Sequence, residues 1–137
     1  MNAGTFKFIE QTLYDFNDID KHINKRIEAL KYPVVHTDEN IGGGKGNRVS
    51  NPTERLAITI ADDLMLSNLK NIKQVVEAVL DRLEEKAREV IELYYIDKPR
   101  KYTWVGVAEK TNYSERQCRN IRNAVFEEIA KKLGLPF

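Results

Sequence analysis

Apolar residues recur along the first 30 positions at the spacing of one helix face. Ile9, Phe16, Ile23 and Leu30 stand seven apart, and Leu13, Ile19 and Ile27 fill the same face at three- or four-residue steps. This stripe predicts one amphipathic helix, ended by Pro33, whose ring cannot continue it. The stripe either packs on its own domain or pairs with a second subunit, as sustained heptads do.

A second patterned block opens at Asn51. Asn51 suits the N-cap, and Pro52 suits the first helical position, where a missing N–H costs nothing. Glu54 falls where a capping box needs an acceptor. Apolar residues then continue through Leu56, Ile60, Leu64, Ile72, Val76, Val79, Leu80 and Leu83. From 51 to 96 there is no glycine, and Pro52 is the only proline. The block is predicted to be helical throughout, as one long helix or as two with a break near Ser67 and Asn68.

Three further helical pieces follow. The first, 85–95, buries Val90, Ile91, Leu93 and Tyr94; the second, 103–110, is short; the third, 115–133, is long. No segment alternates as a strand does, so the fold class is all-α: an N-terminal amphipathic helix, a long central helix and a C-terminal helix-turn-helix. The expected organisation is an oligomerisation helix over 1–32, a linker over 33–50, a central helical region over 51–82 and a DNA-binding domain over 83–137.

The helix-turn-helix expectation rests on local chemistry. Ala108 is small enough for two crossing helices to touch there. Asn112 tolerates the left-handed backbone that the turn needs. Val107, Thr111, Tyr113, Cys118 and Ile121 occupy the positions of the shared core, with Thr111 the least apolar. Ser114 is a good N-cap, and Gln117 can close a capping box. Cys118 faces inward and reads as a small core residue rather than a nucleophile. Tyr102 and Trp104 either stack on DNA sugars or pack on the helix over 85–95.

Charge strengthens the DNA-binding expectation. The overall balance is +1, yet residues 98–137 hold nine Lys/Arg against four Asp/Glu, leaving 13 basic and 17 acidic residues in the rest. A basic carboxyl-terminal segment suits an anionic partner such as nucleic acid. The outward face of the last helix offers Glu115, Arg116, Gln117, Arg119, Asn120 and Asn123. These side-chain types read base edges: Arg pairs with guanine, Asn or Gln with adenine, and Glu accepts from cytosine. Lys101, Thr103, Ser114 and Arg122 complete the candidate DNA-binding set.

Other chemistries find little support. Apolar residues make up 42% of the chain and charged residues 31%. No apolar run approaches the roughly 18 residues of a membrane span, and no signal peptide is predicted from "MNAGTFKFIEQ". One cysteine and two separated histidines, His22 and His36, do not suggest a zinc site. No cofactor is expected. "TDENIGGGKGN" packs Gly42, Gly43, Gly44 and Gly46 around Lys45, like a phosphate cradle. A phosphate-binding loop, however, needs Ser or Thr after its lysine and a strand before it. Here Gly46 follows Lys45 and no strand precedes, so the segment reads as a hinge-like linker, and no enzyme is expected.

Two resemblances extend this reading. The order of "AREVIELYY", "VAEKTNYS" and the basic helix after them resembles region 4 of bacterial sigma factors. The sequence departs from that family at Asn112, where glycine is usual, and at Cys118, where an aliphatic residue is usual. The whole chain resembles the RinA/ArpU-like phage late transcriptional regulators, with "TDENIGG" and the Tyr94-Tyr95 pair as the most specific pieces. That resemblance implies an activator of phage late genes in the bacterial cytoplasm. It would bind late-promoter double-stranded DNA as a homodimer or higher oligomer and recruit host RNA polymerase. A full sigma factor is not implied, because the first 80 residues lack a basic-aromatic helix able to melt a promoter. A phage small terminase subunit, which marks DNA for packaging, is the alternative.

Overall fold

A computed structural model of the chain describes residues 1–32 and 51–137. The glycine-bearing segment read as a hinge lies outside the described residues. Within them the regular structure is helical and contains no strand, so the all-α expectation is met. The α-helices are α1 (Ala3–Tyr14), α2 (Ile19–Lys31), α3 (Pro52–Asp62), α4 (Leu64–Asp81), α5 (Glu85–Ile91), α6 (Trp104–Thr111) and α7 (Glu115–Leu133).

Two predicted helices are divided by short polar residues. The N-terminal stripe is not one helix: α1 stops at Tyr14, a 3-10 turn covers Phe16–Asp18, and α2 begins at Ile19. Asp15, Asn17 and Asp18 have side chains that compete with the helix for hydrogen bonds, and Gln11 Nε2 donates to Asp15 Oδ2 at 2.9 Å. The central block also divides, but at Asp63 rather than near Ser67 and Asn68. Asp63 is extended (ψ 115°), and its Oδ1 accepts from the Leu66 amide at 2.7 Å, capping α4. Arg26 grips the same carboxylate with two hydrogen bonds, at 2.6 and 3.1 Å. The helix expected over 85–95 is α-helical to Ile91 and then widens into a π-turn over Glu92–Ile96.

The chain forms two compact units, residues 1–19 with 71–137, and residues 20–70. In the first unit Ile9, Leu13, Val76, Ile91, Tyr95, Phe126 and Ile129 are fully buried in one cluster. Polar contacts tie down its edges. The Tyr95 hydroxyl donates to Glu10 at 2.8 Å, and the Thr5 hydroxyl donates to the Pro136 carbonyl at 2.7 Å. The first half of the N-terminal stripe is therefore covered by its own unit. Among the described residues of the second unit Ile23 and Leu66 are the buried hydrophobics, and α3 buries no residue. Tyr32, Ile58, Leu64 and Met65 keep 75, 61, 77 and 55% of their surface exposed. Among the described residues, no helix is long and apolar enough to cross a membrane.

Candidate nucleic-acid interface

The pair α6 and α7 is fixed by its termini. Thr103 caps α6, its hydroxyl accepting from the Gly106 amide at 3.4 Å. Asn112 ends α6 with φ 62° and ψ 18°, and it is the positive-φ non-glycine residue among the described residues. Its short amide side chain tolerates that left-handed conformation better than a bulky residue would. Ser114 Oγ accepts from the Gln117 amide at 3.1 Å, and Gln117 Oε1 accepts from the Ser114 amide at 2.8 Å. Both halves of the capping box are thus made, and α7 starts at Glu115.

The seam between the two helices holds Val107, Thr111 and Cys118, all buried, with Ala108, Tyr113 and Ile121 packed at its edge. Thr111 fits there because its hydroxyl donates to the Val107 carbonyl at 2.7 Å, leaving no buried polar atom unsatisfied. Cys118 lies 3.9 Å from that hydroxyl, and burial pushes its thiol pKa up. A raised pKa and complete burial make it a packing residue.

The structure divides the sequence-predicted site residues into distinct groups. Arg116, Asn120 and Asn123 lie on one exposed strip of α7 at helical spacing. Arg116 and Asn120 have no side-chain partner among the described residues. Arg119 is exposed beside them and faces Glu115 at 3.5 Å, a surface pair one turn apart. Ser114 and Gln117 are occupied by the cap. Lys101 and Thr103 are exposed just ahead of α6. Arg122 turns inward: its guanidinium stands 5.0 Å from the Phe6 ring centre and 5.3 Å from that of Trp104, and its Nε donates to Asn123 Oδ1 at 3.1 Å.

Arg122 belongs to a column of cations and rings drawn from separate elements. Arg100 lies 4.3 Å over Tyr94, Tyr94 stacks on Trp104 at 3.8 Å and 12°, and Arg122 lies between Trp104 and Phe6. Of the two roles open to Trp104, the structure shows the packing one. Such contacts hold the basic turn, the π-turn, α6, α7 and α1 in one register. The same crowding reaches the tyrosines nearby. Burial pushes the Tyr14 hydroxyl up to about 12, and burial followed by the Glu10 hydrogen bond raises that of Tyr95.

Sequence reasoning did not include Lys98, Arg100 or Lys110 in the site. The basic turn at 98–101 was a visible signal for the first two. Lys110, in the last turn of α6, lines a recess with Lys98 and Lys101, a grouping that depends on how the turn folds back.

The molecule defined by these features is an all-α protein whose carboxyl-terminal helices present an Arg/Asn face beside basic turns. A family described as "Protein of unknown function (DUF722)" matches residues 7–131, and the chain belongs to that family. Over 134 residues it is 23% identical to the "Transcriptional activator rinA" of Staphylococcus phage phi11, an alignment covering 98% of this chain and 94% of that protein. No solved structure matches it.

Proposed function

We propose that this chain is a phage transcription regulator that activates late genes by binding double-stranded promoter DNA. In this reading α6, the Asn112–Ser114 turn and α7 form a sigma region 4-like helix-turn-helix. The amino-terminal half of α7 enters the major groove, where Arg116, Arg119, Asn120 and Asn123 meet base edges. Lys101 and Thr103, ahead of α6, meet the backbone, and the bound protein recruits host RNA polymerase. The observation that carries this is the exposed Arg116–Asn120–Asn123 strip, held on a helix whose start is set by a left-handed turn and a complete capping box. A relative named as a transcriptional activator, aligned over nearly the whole chain, supports it. The protein acts by binding rather than by catalysis, in the cytoplasm of a bacterial host.

A homodimer or higher oligomer, joined through α3 and the start of α4, is part of the proposal. Its support is the uncovered apolar surface at Ile58, Leu64 and Met65. Uncovered apolar surface of this kind marks association sites.

Fluorescence anisotropy with late-promoter duplex tests the reading. Arg116→Ala is expected to weaken binding by about 1–3 kcal/mol, and Arg119→Ala by less, because Arg119 already shares its charge with Glu115. Wild-type affinity in both variants would remove α7 as the recognition helix. Sedimentation of the complex separates the two roles: a dimer on one promoter fragment fits the activator, and a large ring fits a small terminase subunit.

A further inference from the structure

We infer that the recess beside α6 is a phosphate-binding site, built by Lys98, Lys101 and Lys110. The recess measures about 420 Å³ and is also lined by Tyr102, Asp97 and Asn17. Three cations therefore share one concavity with a single carboxylate. Among the described residues none of the three lysines is ion-paired, and Asp97 is not within pairing distance of any of them. Asn17 is already committed, donating to the Ile96 carbonyl. The Lys98 ammonium also lies 5.7 Å from the Tyr14 ring centre, a contact that a bound anion would share with it.

Three like charges with one unpaired carboxylate among them still repel one another, and an anion placed among them lowers that cost. A phosphate suits this geometry. Lysines bind it as mobile point charges from several directions, without the flat pairing that a carboxylate–arginine fork needs. The volume lies within the range of small-ligand sites, about 300–1,000 Å³, so a phosphate has room to enter with the group it esterifies. Lys101 stands three residues before α6 and Lys110 lies in its last turn, so the recess flanks the helix that leads into the exposed strip of α7. A phosphodiester of bound DNA is one source of the phosphate and rests on the DNA-binding reading above. A free pyrophosphate-bearing molecule is the other.

The test uses the full chain, the double variant Lys101→Ala/Lys110→Ala and the single variant Lys98→Ala, each checked for wild-type helicity by circular dichroism. Lys131→Ala/Lys132→Ala removes equal charge outside the recess and is the control. Anisotropy is measured on promoter and random duplex across a salt series, and inorganic pyrophosphate is titrated by calorimetry. If DNA supplies the phosphate, the recess variants weaken both duplexes alike, and the log K against log salt slope falls by about one per phosphate lost. The control keeps the larger slope. If a free phosphate is the ligand, the wild type takes up pyrophosphate saturably, the recess variants do not, and DNA slopes are unchanged. Slopes that fall equally in the control, or stay unchanged without pyrophosphate uptake, overturn the site. Should the wild type bind no DNA, the regulator reading fails, and the recess stands or falls on the pyrophosphate titration.

Discussion

Residues 1–19 with 71–137 bury Ile91, Tyr95, Val107 and Phe126 completely, whereas α3, within residues 20–70, buries nothing. The two regions carry similar apolar periodicity. Leu56 and Ile60 in α3 repeat as faithfully as Val125 and Ile129 in α7. Periodicity thus specifies that a helix has an apolar face, and says nothing of whether the same chain covers it. The first unit closes its core with side chains from α1, α4, α5 and α7 and so can hold the exposed Arg116–Asn120–Asn123 strip of α7 in fixed geometry. The second is held at Asp63 by ionic and capping contacts and leaves apolar surface uncovered.

The sharpest way to expose this contrast is Phe126→Ala. Phe126 is fully buried against Phe6 and Tyr95, with ring centres 4.9 and 5.7 Å away. Its truncation is expected to cost about 3–5 kcal/mol in urea unfolding. Next comes Arg122→Ala, which removes a cation from between two rings and is expected to cost about 1–2 kcal/mol of stability. Arg116→Ala, on the exposed strip, should stay within about 0.5 kcal/mol in the same unfolding assay. Equal losses in those two arginine variants would break the separation of a packing arginine from an exposed one.

The second unit answers to pH. The Arg26 guanidinium, and then the Leu66 amide, hold the Asp63 carboxyl below its ordinary 3.8. A depressed folded value means that its contribution is present above 3.8 and is lost as pH falls through the folded value. The protection factor of the Leu66 amide, its exchange relative to the intrinsic rate at each pH, should therefore fall on acidification, and Asp63→Asn should abolish that acid step. The smallest effect belongs to Leu64→Ser. At 77% exposure, this change should shift monomer stability by no more than about 0.5 kcal/mol. A larger loss that grows with protein concentration would show that a second copy covers the residue.

The most local features were legible in the sequence. Asn112, Ser114 and Gln117 define the turn and the start of α7 through contacts no more than three residues apart, so their identities were sufficient. The central break was expected near Ser67 and Asn68; Asp63 carries a local capping signal that this expectation missed, and its capture by Arg26, 37 positions away, has no local signal at all. Arg122 was expected in the DNA-binding set together with the exposed residues around it on α7. Its inward turn depends on Phe6, at the other end of the chain. The π-turn at Glu92–Ile96 has no simple sequence signature, and the recess depends on Lys98 and Lys110, twelve positions apart, lining one concavity.

The hydrogen bond from Thr5 to the Pro136 carbonyl joins positions 131 apart, and Ile9 and Leu13 share their core with Val125 and Ile129. On the ribosome this has a temporal consequence. Helix α1 emerges first and must wait, its apolar face unsatisfied, until α7 has left the exit tunnel. Closing so long a loop adds little to the entropy cost beyond a loop of half its length, about 0.6 kcal/mol per doubling, but contacts so distant in sequence slow folding. The protein therefore cannot assemble its first unit piecemeal: a chain interrupted before α7 leaves α1 without the partner that buries it.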